Sequence, residues 1–455
     1  MKEEMFSKGK VGRVIFKLSI PLVISQIINV LYNIVDRIYI GNLPNIGQEA
    51  LAGVGIAFPI IIIVSAFASL VGAGGAPIAA IKMGEGQDEE AKKIMMNSFM
   101  MLIIMGILLT IALLLFNEKL LYLFGATDEL IEYGKSYLNI YALGSISVML
   151  TLGLNSYITA QGYTNIAMIV VLIGAVLNII LDPILMFTLN MGVKGAAYAT
   201  VISQTVSAIF VLIFLSGKRL ALRLEPKSLK LDSKIILSIL ALGISPFIMQ
   251  ATESLVQITF NIQITKYGGT EYKTYLNIMT IMLSIMQFIM LPIFGLSQGA
   301  SPLISYNFGA KNIDRVKSAF KIVLITSLSY TLIFYLLIFL FPKGFVLIFN
   351  NDPLLLEIAP RILRIFFIGM SIMGIQIACQ NTFLALGQAK ISVILALLRK
   401  IILLIPITLI LPIFMGINGV FYSEAIADVI AVVTTSIVFM ILFGKILDNR
   451  LDTPN

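Results

Sequence analysis

Apolar residues run along this chain in long, unbroken blocks. They occupy about 14–40, 50–80, 93–116, 130–158, 164–188, 193–216, 235–265, 275–306, 316–341, 354–384, 389–413 and 417–444. Each block suffices for a membrane helix, which takes about 20 mostly apolar residues to cross the hydrocarbon layer. None shows the apolar–polar alternation of a transmembrane barrel strand. The pattern predicts twelve transmembrane helices, with both ends of the chain on one side of the membrane.

Composition sharpens this reading. The chain is 58% hydrophobic and 12% charged, with a mean hydropathy of +0.98. Those values exclude an ordinary soluble enzyme and a disordered chain. There is no His, and Cys379 is the only cysteine, so an internal disulfide and Cys/His metal sites are excluded. Met1 to Lys17 is basic, but the first block is long and lacks a cleavage pattern, so it is expected to be retained.

The net charge of +8 reads as a topological signal rather than as nucleic-acid binding. With the N-terminus inside, the inner loops hold Lys82, Lys92 and Lys93, then Lys218, Arg219, Arg223, Lys227, Lys230 and Lys234, then Lys311, Arg315, Lys317 and Lys321, and Lys390. The end of the chain adds Lys445 and Arg450. The outer loops hold only Lys119, Lys194, Lys266, Lys273 and Lys343. Both termini are therefore expected in the cytoplasm.

The chain is also a repeat. Pro21 and Pro246 stand 225 positions apart, as do Gly74 and Gly299, Pro77 and Pro302, Gly84 and Gly309, Gly144 and Gly369, and Gly162 and Gly387. After one deletion, Met191-Gly192-x-x-Gly195-x-x-Tyr198 matches Met415-Gly416-x-x-Gly419-x-x-Tyr422 at an offset of 224. A constant offset across half a chain marks two copies of one unit. The predicted divisions are an amino-terminal lobe at 1–216 (spans one to six), a cytoplasmic linker at 217–234, a carboxy-terminal lobe at 235–445 (spans seven to twelve) and a tail at 446–455.

Acids inside the spans are the first functional candidates, because each is costly to insert. They are Asp36, Asp182, Glu253, Glu424 and Asp428. Asp36 and Asp182 lie late in spans one and five, at one depth. Asn178 is one turn before Asp182 on the same face, and Thr200 in span six reaches that depth. Two acids, an amide and a hydroxyl together would bind a small cation or share a proton. The second half differs: Asp36 aligns with Asn261, Asp182 with Ile407 and Thr200 with Glu424. The ion site is therefore expected once. Glu253 and Glu424 suit a central cavity. Asp428 either pairs with Arg399 or contacts substrate. Pro21 removes a hydrogen bond from span one and marks a candidate hinge. Gly72-Ala73-Gly74-Gly75 is no phosphate loop, since no Gly-Lys-Ser/Thr follows.

Twelve spans, the duplicated unit, Pro21 with Asp36 in span one, and Asn178-x-x-x-Asp182-Pro183 in span five resemble the multidrug and toxic compound extrusion (MATE) family. Gly74-x-x-Pro77 with Gly84, and the copy Gly299-x-x-Pro302 with Gly309, are similar to that family's pattern. Within the family the sequence looks similar to the bacterial, MepA-like branch. The resemblance implies an all-α fold, with two pseudo-symmetric six-helix lobes around a central cavity. It implies a bacterial inner-membrane transporter, not an enzyme, exporting amphipathic or cationic organic compounds in exchange for H⁺ or Na⁺. It assigns Asp36, Asn178, Asp182 and Thr200 to ion coupling, and Pro21 to the bending of span one. Tyr137 and Asn155 match further polar residues of that lobe and join Glu253, Glu424 and Asp428 as candidate substrate contacts. Glu253 matches a span-seven acid used for sodium in one branch. No cofactor and no nucleic acid are implied; the partners are small molecules and membrane lipids, and the protein is expected to be a monomer. The rival reading is a flippase for lipid-linked or other amphipathic anions, drawing on Arg361, Arg364, Arg399 and Lys400.

Overall fold

The computed structural model describes residues 2–225 and 231–452, with side chains from residue 4 onward. Among these residues the secondary structure is helical. After a short helix α1 (Lys2–Lys8), spans one to three are α2 (Val11–Gly41), α3 (Gly47–Gly84) and α4 (Asp88–Leu123). Span four is a broken pair, α5 (Ile131–Leu143) and α6 (Ser145–Ala160), bent by 59°. Span five is α7 (Thr164–Pro183) with a π-helical turn, Ile184–Thr188, and span six is α8 (Val193–Leu215). The second half follows as α9 (Ser233–Tyr267), α10 (Tyr272–Gly309) and α11 (Ile313–Leu340), then a short α12 (Pro342–Leu347). Span ten is α13 (Pro353–Phe366) with α14 (Met370–Ala385). Span eleven is α15 (Ala389–Leu397), a π-helical turn (Leu398–Leu404) and α16 (Ile405–Met415), and span twelve is α17 (Ile417–Asp452). Eleven stretches among the described residues are long and apolar enough to cross a membrane, and the bent α5–α6 pair makes a twelfth.

Local chemistry sets the ends and breaks. Asp232 and Asp352 cap α9 and α13, their carboxylates accepting from the backbone N–H of Lys234 at 2.8 Å and Leu354 at 2.9 Å. Asp88, Glu89 and Glu90 sit in the first turn of α4, where the helix dipole favours acids. Pro183 supplies no N–H, and the ladder slips into the wider turn that follows. The turn at Leu398–Leu404 likewise runs into Pro406. Repeat-related Gly162 and Gly387 both end a helix with positive φ, 77° and 71°. At the position of Gly86 (φ 73°) the second half carries Lys311 (φ 57°), so the geometry is kept where the glycine is not.

Each lobe has its own apolar core. The lobes join by crossed packing, α2 against α10 and α3 against α9, as a two-fold repeat requires. Small residues make this possible. A Cβ on Gly84 would lie 2.0 Å from the carbonyl oxygen of Tyr306, and one on Gly309 would lie 2.0 Å from that of Ile81. Gly243 meets the Leu70 backbone, and Gly74 meets Gly243. These approaches cluster toward the face carrying the N-terminus and the Lys/Arg-rich loops. Toward the other face the lobes part around a cavity.

Two boundaries need correction. The tail predicted at 446–455 is not separate: α17 continues through Asp452, and 453–455 lie outside the described residues. Residues 217–225 of the predicted linker fold onto the amino-terminal lobe, with Leu222 N–H donating to Gln161 Oε1 at 3.0 Å and Leu224 N–H to the Leu215 carbonyl at 2.8 Å. Residues 226–230, with Lys227 and Lys230, lie outside the described residues.

Gly243→Ala is expected to lower the unfolding midpoint, at a cost of about 1–3 kcal/mol, because the new methyl meets the Leu70 carbonyl. Gly444→Ala, with open space around it, is expected to hold or raise the midpoint. Thermal unfolding in detergent compares them.

Candidate functional site

The first site lies within the amino-terminal lobe, where α2, α5, α7 and α8 meet. α2 brings Asp36, α7 brings Asn178 and Asp182 one turn apart, and α8 brings Thr200. Asp182 is fully buried, and Asn178, Thr200 and Tyr137 are nearly so. The Asn178 amide bridges its neighbours: its nitrogen lies 3.3 Å from Asp182 Oδ1 and 3.3 Å from Thr200 Oγ1. With the amide turned over, its nitrogen donates to Asp182 Oδ2 at 3.0 Å and its oxygen accepts from the Thr200 N–H at 3.3 Å. Tyr137 Oη and Thr200 Oγ1 are 3.4 Å apart. The Asp36 and Asp182 carboxyls are within hydrogen-bonding reach of one another. Asp36 Oδ1 is buried with no donor.

Two carboxylates at that range repel unless a proton or a cation stands between them. The donor set is carboxylate, amide and hydroxyl oxygen, which suits a proton or a hard cation. Sequence reasoning missed Tyr32. It lies one turn before Asp36, on the same face, and lines the same cavity as Asp36 and Thr200. That spacing was readable.

Asp36 also faces the main cavity, about 570 Å³ in volume, between the lobes. Tyr137, Asn155 and Thr200 line it as well. Asn155 donates to the Ala167 carbonyl at 3.3 Å, and its oxygen is buried without a partner. α2 presents Gln26, Asn29 and Asn33 to the cavity, opposite Gln250, Gln287 and Asn381 of the other lobe. Arg37 lies beside Asp36 at the wall, with its guanidinium 4.4 Å from the Phe58 ring centre. Pro21 is buried within α2, which is helical throughout; its carbonyl accepts from the Ser25 hydroxyl at 2.9 Å.

The carboxy-terminal acids lie elsewhere. Glu253 and Glu424, expected at the cavity, are absent from its wall, as is Asp428. Arg399 Nε donates to Asp428 Oδ1 at 2.8 Å, and its Nη2 lies 3.4 Å from Glu424 Oε1. Lys400 pairs with Glu253 and donates to the Met249 carbonyl at 3.1 Å. Of the two readings open for Asp428, the ion pair is the one present. Arg399 and Lys400 lie in the π-helical turn at Leu398–Leu404, and as adjacent helical residues they face different neighbours, Arg399 α17 and Lys400 α9. This network also engages Arg399 and Lys400, two of the four basic residues on which the anion reading drew. Arg364 donates to the Phe339 carbonyl at 3.0 Å.

Comparison with known proteins follows the same two-fold plan. The family model MatE matches residues 21–184 and again residues 246–410, one match per half. The chain belongs to the MATE family. It is therefore a multi-pass membrane transporter rather than an enzyme. The multidrug export protein MepA of Staphylococcus haemolyticus (strain JCSC1435) is 28% identical over 433 residues, covering 94% of each chain. MepA of Staphylococcus saprophyticus is 26% identical over 455 residues, covering 99% of each. Among solved structures, a MATE in the bent conformation superposes with a TM-score of 0.92 at 24% identity, covering 99% of each chain. An outward-facing multidrug resistance MATE transporter of the MOP superfamily superposes at 0.89 and 24% identity, covering 98% of this chain and 99% of that one. Both share the two-lobed fold.

Arg399→Met is expected to destabilise this MATE protein by about 3–5 kcal/mol, since it strands Asp428 and Glu424 in a buried setting. Adding Asp428→Leu and Glu424→Gln is expected to recover much of that loss. Unfolding midpoints of the single and triple variants decide it; an unchanged midpoint in Arg399→Met contradicts the pairing.

Proposed function

We propose that this protein is a secondary antiporter. It exports amphipathic, often cationic, organic compounds across the bacterial inner membrane in exchange for H⁺ or Na⁺, with both termini in the cytoplasm. The single observation that carries this reading is the buried Asp36–Asp182 pair, one member of which faces a cavity between two lobes. A proton or Na⁺ arriving from outside loads Asp36, Asp182, Asn178 and Thr200. Loading changes how α2 packs, with Pro21 as the hinge, and lowers affinity for the exported compound. The unloaded state then takes up a new molecule from the cytoplasm or the inner leaflet. Such coupling requires only that ion and compound prefer different conformations.

The curated relatives are named multidrug export proteins, which supports export as the direction of transport. Tyr137 and Asn155, with the cavity amides, contact the compound. Glu253, Glu424 and Asp428 hold the carboxy-terminal lobe in shape through Arg399 and Lys400. The protein acts as a monomer among lipids, needs no organic cofactor and binds no nucleic acid.

The test is efflux of a fluorescent cationic dye from proteoliposomes, with a Na⁺ gradient and a pH gradient imposed separately. Wild type is expected to move dye under one of them. Asp36→Asn is expected to lose at least about tenfold of the gradient-driven rate. Glu253→Gln is expected to retain it. Folded wild type that moves no dye under either gradient contradicts the proposal. Lipid flipping without any gradient would then favour the flippase.

A further inference from the structure

Both ends of the described chain meet where the lobes are closed. α17 runs past its apolar stretch and carries Arg450 to the ends of α3 and α10. Arg450 Nη2 donates to Glu85 Oε1 at 2.6 Å and to the Gly309 carbonyl at 2.8 Å, and its Nε donates to the Phe308 carbonyl at 3.1 Å. Glu85 directly follows α3 of the amino-terminal lobe, while Phe308 and Gly309 end α10 of the other. One guanidinium thus ties the two lobes together. The Arg450 and Glu85 side chains are only 16% and 14% exposed, so bulk salt screens the pair weakly.

The bridge lies over a close interlobe approach, between Gly84 and Tyr306 on one side and Gly309 and Ile81 on the other. A second contact reinforces it. Phe6 of α1 is buried, with its ring centre 5.3 Å from that of Tyr306 and its carbonyl accepting from Asn307 Nδ2 at 3.2 Å. The same ring abuts Gly162 of the amino-terminal lobe.

The repeat does not duplicate the bridge. At the offset of 225, Glu85 aligns with Ala310, and at the offset of 224, Arg450 aligns with Pro226. The repeat therefore supplies no second copy of this Arg450–Glu85 tie. An alternating-access transporter must part its lobes at this end for part of each cycle.

We propose that Arg450 is a gating residue of the transport cycle. It latches the Lys/Arg-rich face shut by bridging Glu85 to the end of α10, and its release precedes opening on that face. Arg450 touches neither ion nor exported compound in this scheme; it acts by positioning the lobes. Only its place in the cycle rests on the antiport reading. The latch itself is testable without gradient or substrate.

The experiment places spin labels at Lys93→Cys on α4 and Ser318→Cys on α11. These positions are exposed, sit at the latch face of opposite lobes and are related by the repeat. Cys379, the sole native thiol, is buried. Electron–electron distance distributions are recorded for purified protein in lipid nanodiscs. Arg450→Ala is expected to enlarge the long-distance population at least about fivefold, and Glu85→Gln to enlarge it in the same direction. The double variant is expected to match Arg450→Ala alone, because Arg450→Ala already removes the bond to Glu85. Lys82→Gln removes the other partner of Glu85 and is expected to leave the distribution unchanged. If Arg450→Ala does not fold, Glu85→Gln carries the test, since it keeps the carbonyl bonds. Unchanged distributions in the folded latch variants overturn the proposal. So does an equal shift in Lys82→Gln, which would trace the effect to pairing within one lobe.

Discussion

Two carboxyl groups facing each other inside a membrane protein demand something between them. Asp36 and Asp182 are in that position, and the rest of the amino-terminal lobe is arranged around the demand. Asn178 and Thr200 stabilise one acid, while an oxygen of the other has no donor. A site left short of positive charge takes up a proton or a cation. Because Asp36 also forms cavity wall, filling the site alters the surface that a transported molecule meets. Ion and cargo need not touch for each to sense the other.

The duplicated architecture gives this site leverage. α2 carries Asp36 near one end and packs on α10 of the opposite lobe near the other. Pro21, where the helix lacks a backbone donor, sits within that contact, between Ser19 against Gly299 and Val23 against Gly295. In the proposed cycle, a change of shape at Asp36 would reach the interlobe seam through this one helix. The carboxy-terminal lobe keeps the same frame with different chemistry. Among its described residues Arg399 pairs with both Asp428 and Glu424, and Lys400 pairs with Glu253. The two copies of one fold thus differ in how their buried acids are partnered. The interlobe seam is backbone against backbone at Gly84, Gly243 and Gly309, an arrangement that is either closed or separated and not gradually deformed.

Much of this was legible in the chain, for physical reasons. Lipid forces every span to satisfy its own backbone, so apolar blocks become helices with little ambiguity. The repeat offset at Gly74, Gly84 and their copies predicted two copies of one six-helix unit. Asp36, Asn178, Asp182 and Thr200 could be grouped by depth, because the direction of each span was known. What escaped was local or long-range. The π-helical turns arise from a slipped hydrogen-bond ladder, which composition does not reveal. The pairing of Lys400 with Glu253 joins residues 147 positions apart, and no periodicity points to it. The breaks at Gly144 and near Gly369 lie inside apolar blocks that read as single spans. Arg450 looked like one more charge on the basic side, because only the continuation of α17 brings it to Glu85.

The central claim is that Asp36 and Asp182 form one titrating unit, and it can be tested apart from transport. Infrared difference spectra of purified protein in lipid, cycled in pH with and without Na⁺, report carboxyl protonation directly. The account predicts a protonated-carboxyl band that disappears in both Asp36→Asn and Asp182→Asn and persists in Glu253→Gln. A band unchanged in both aspartate variants would contradict it.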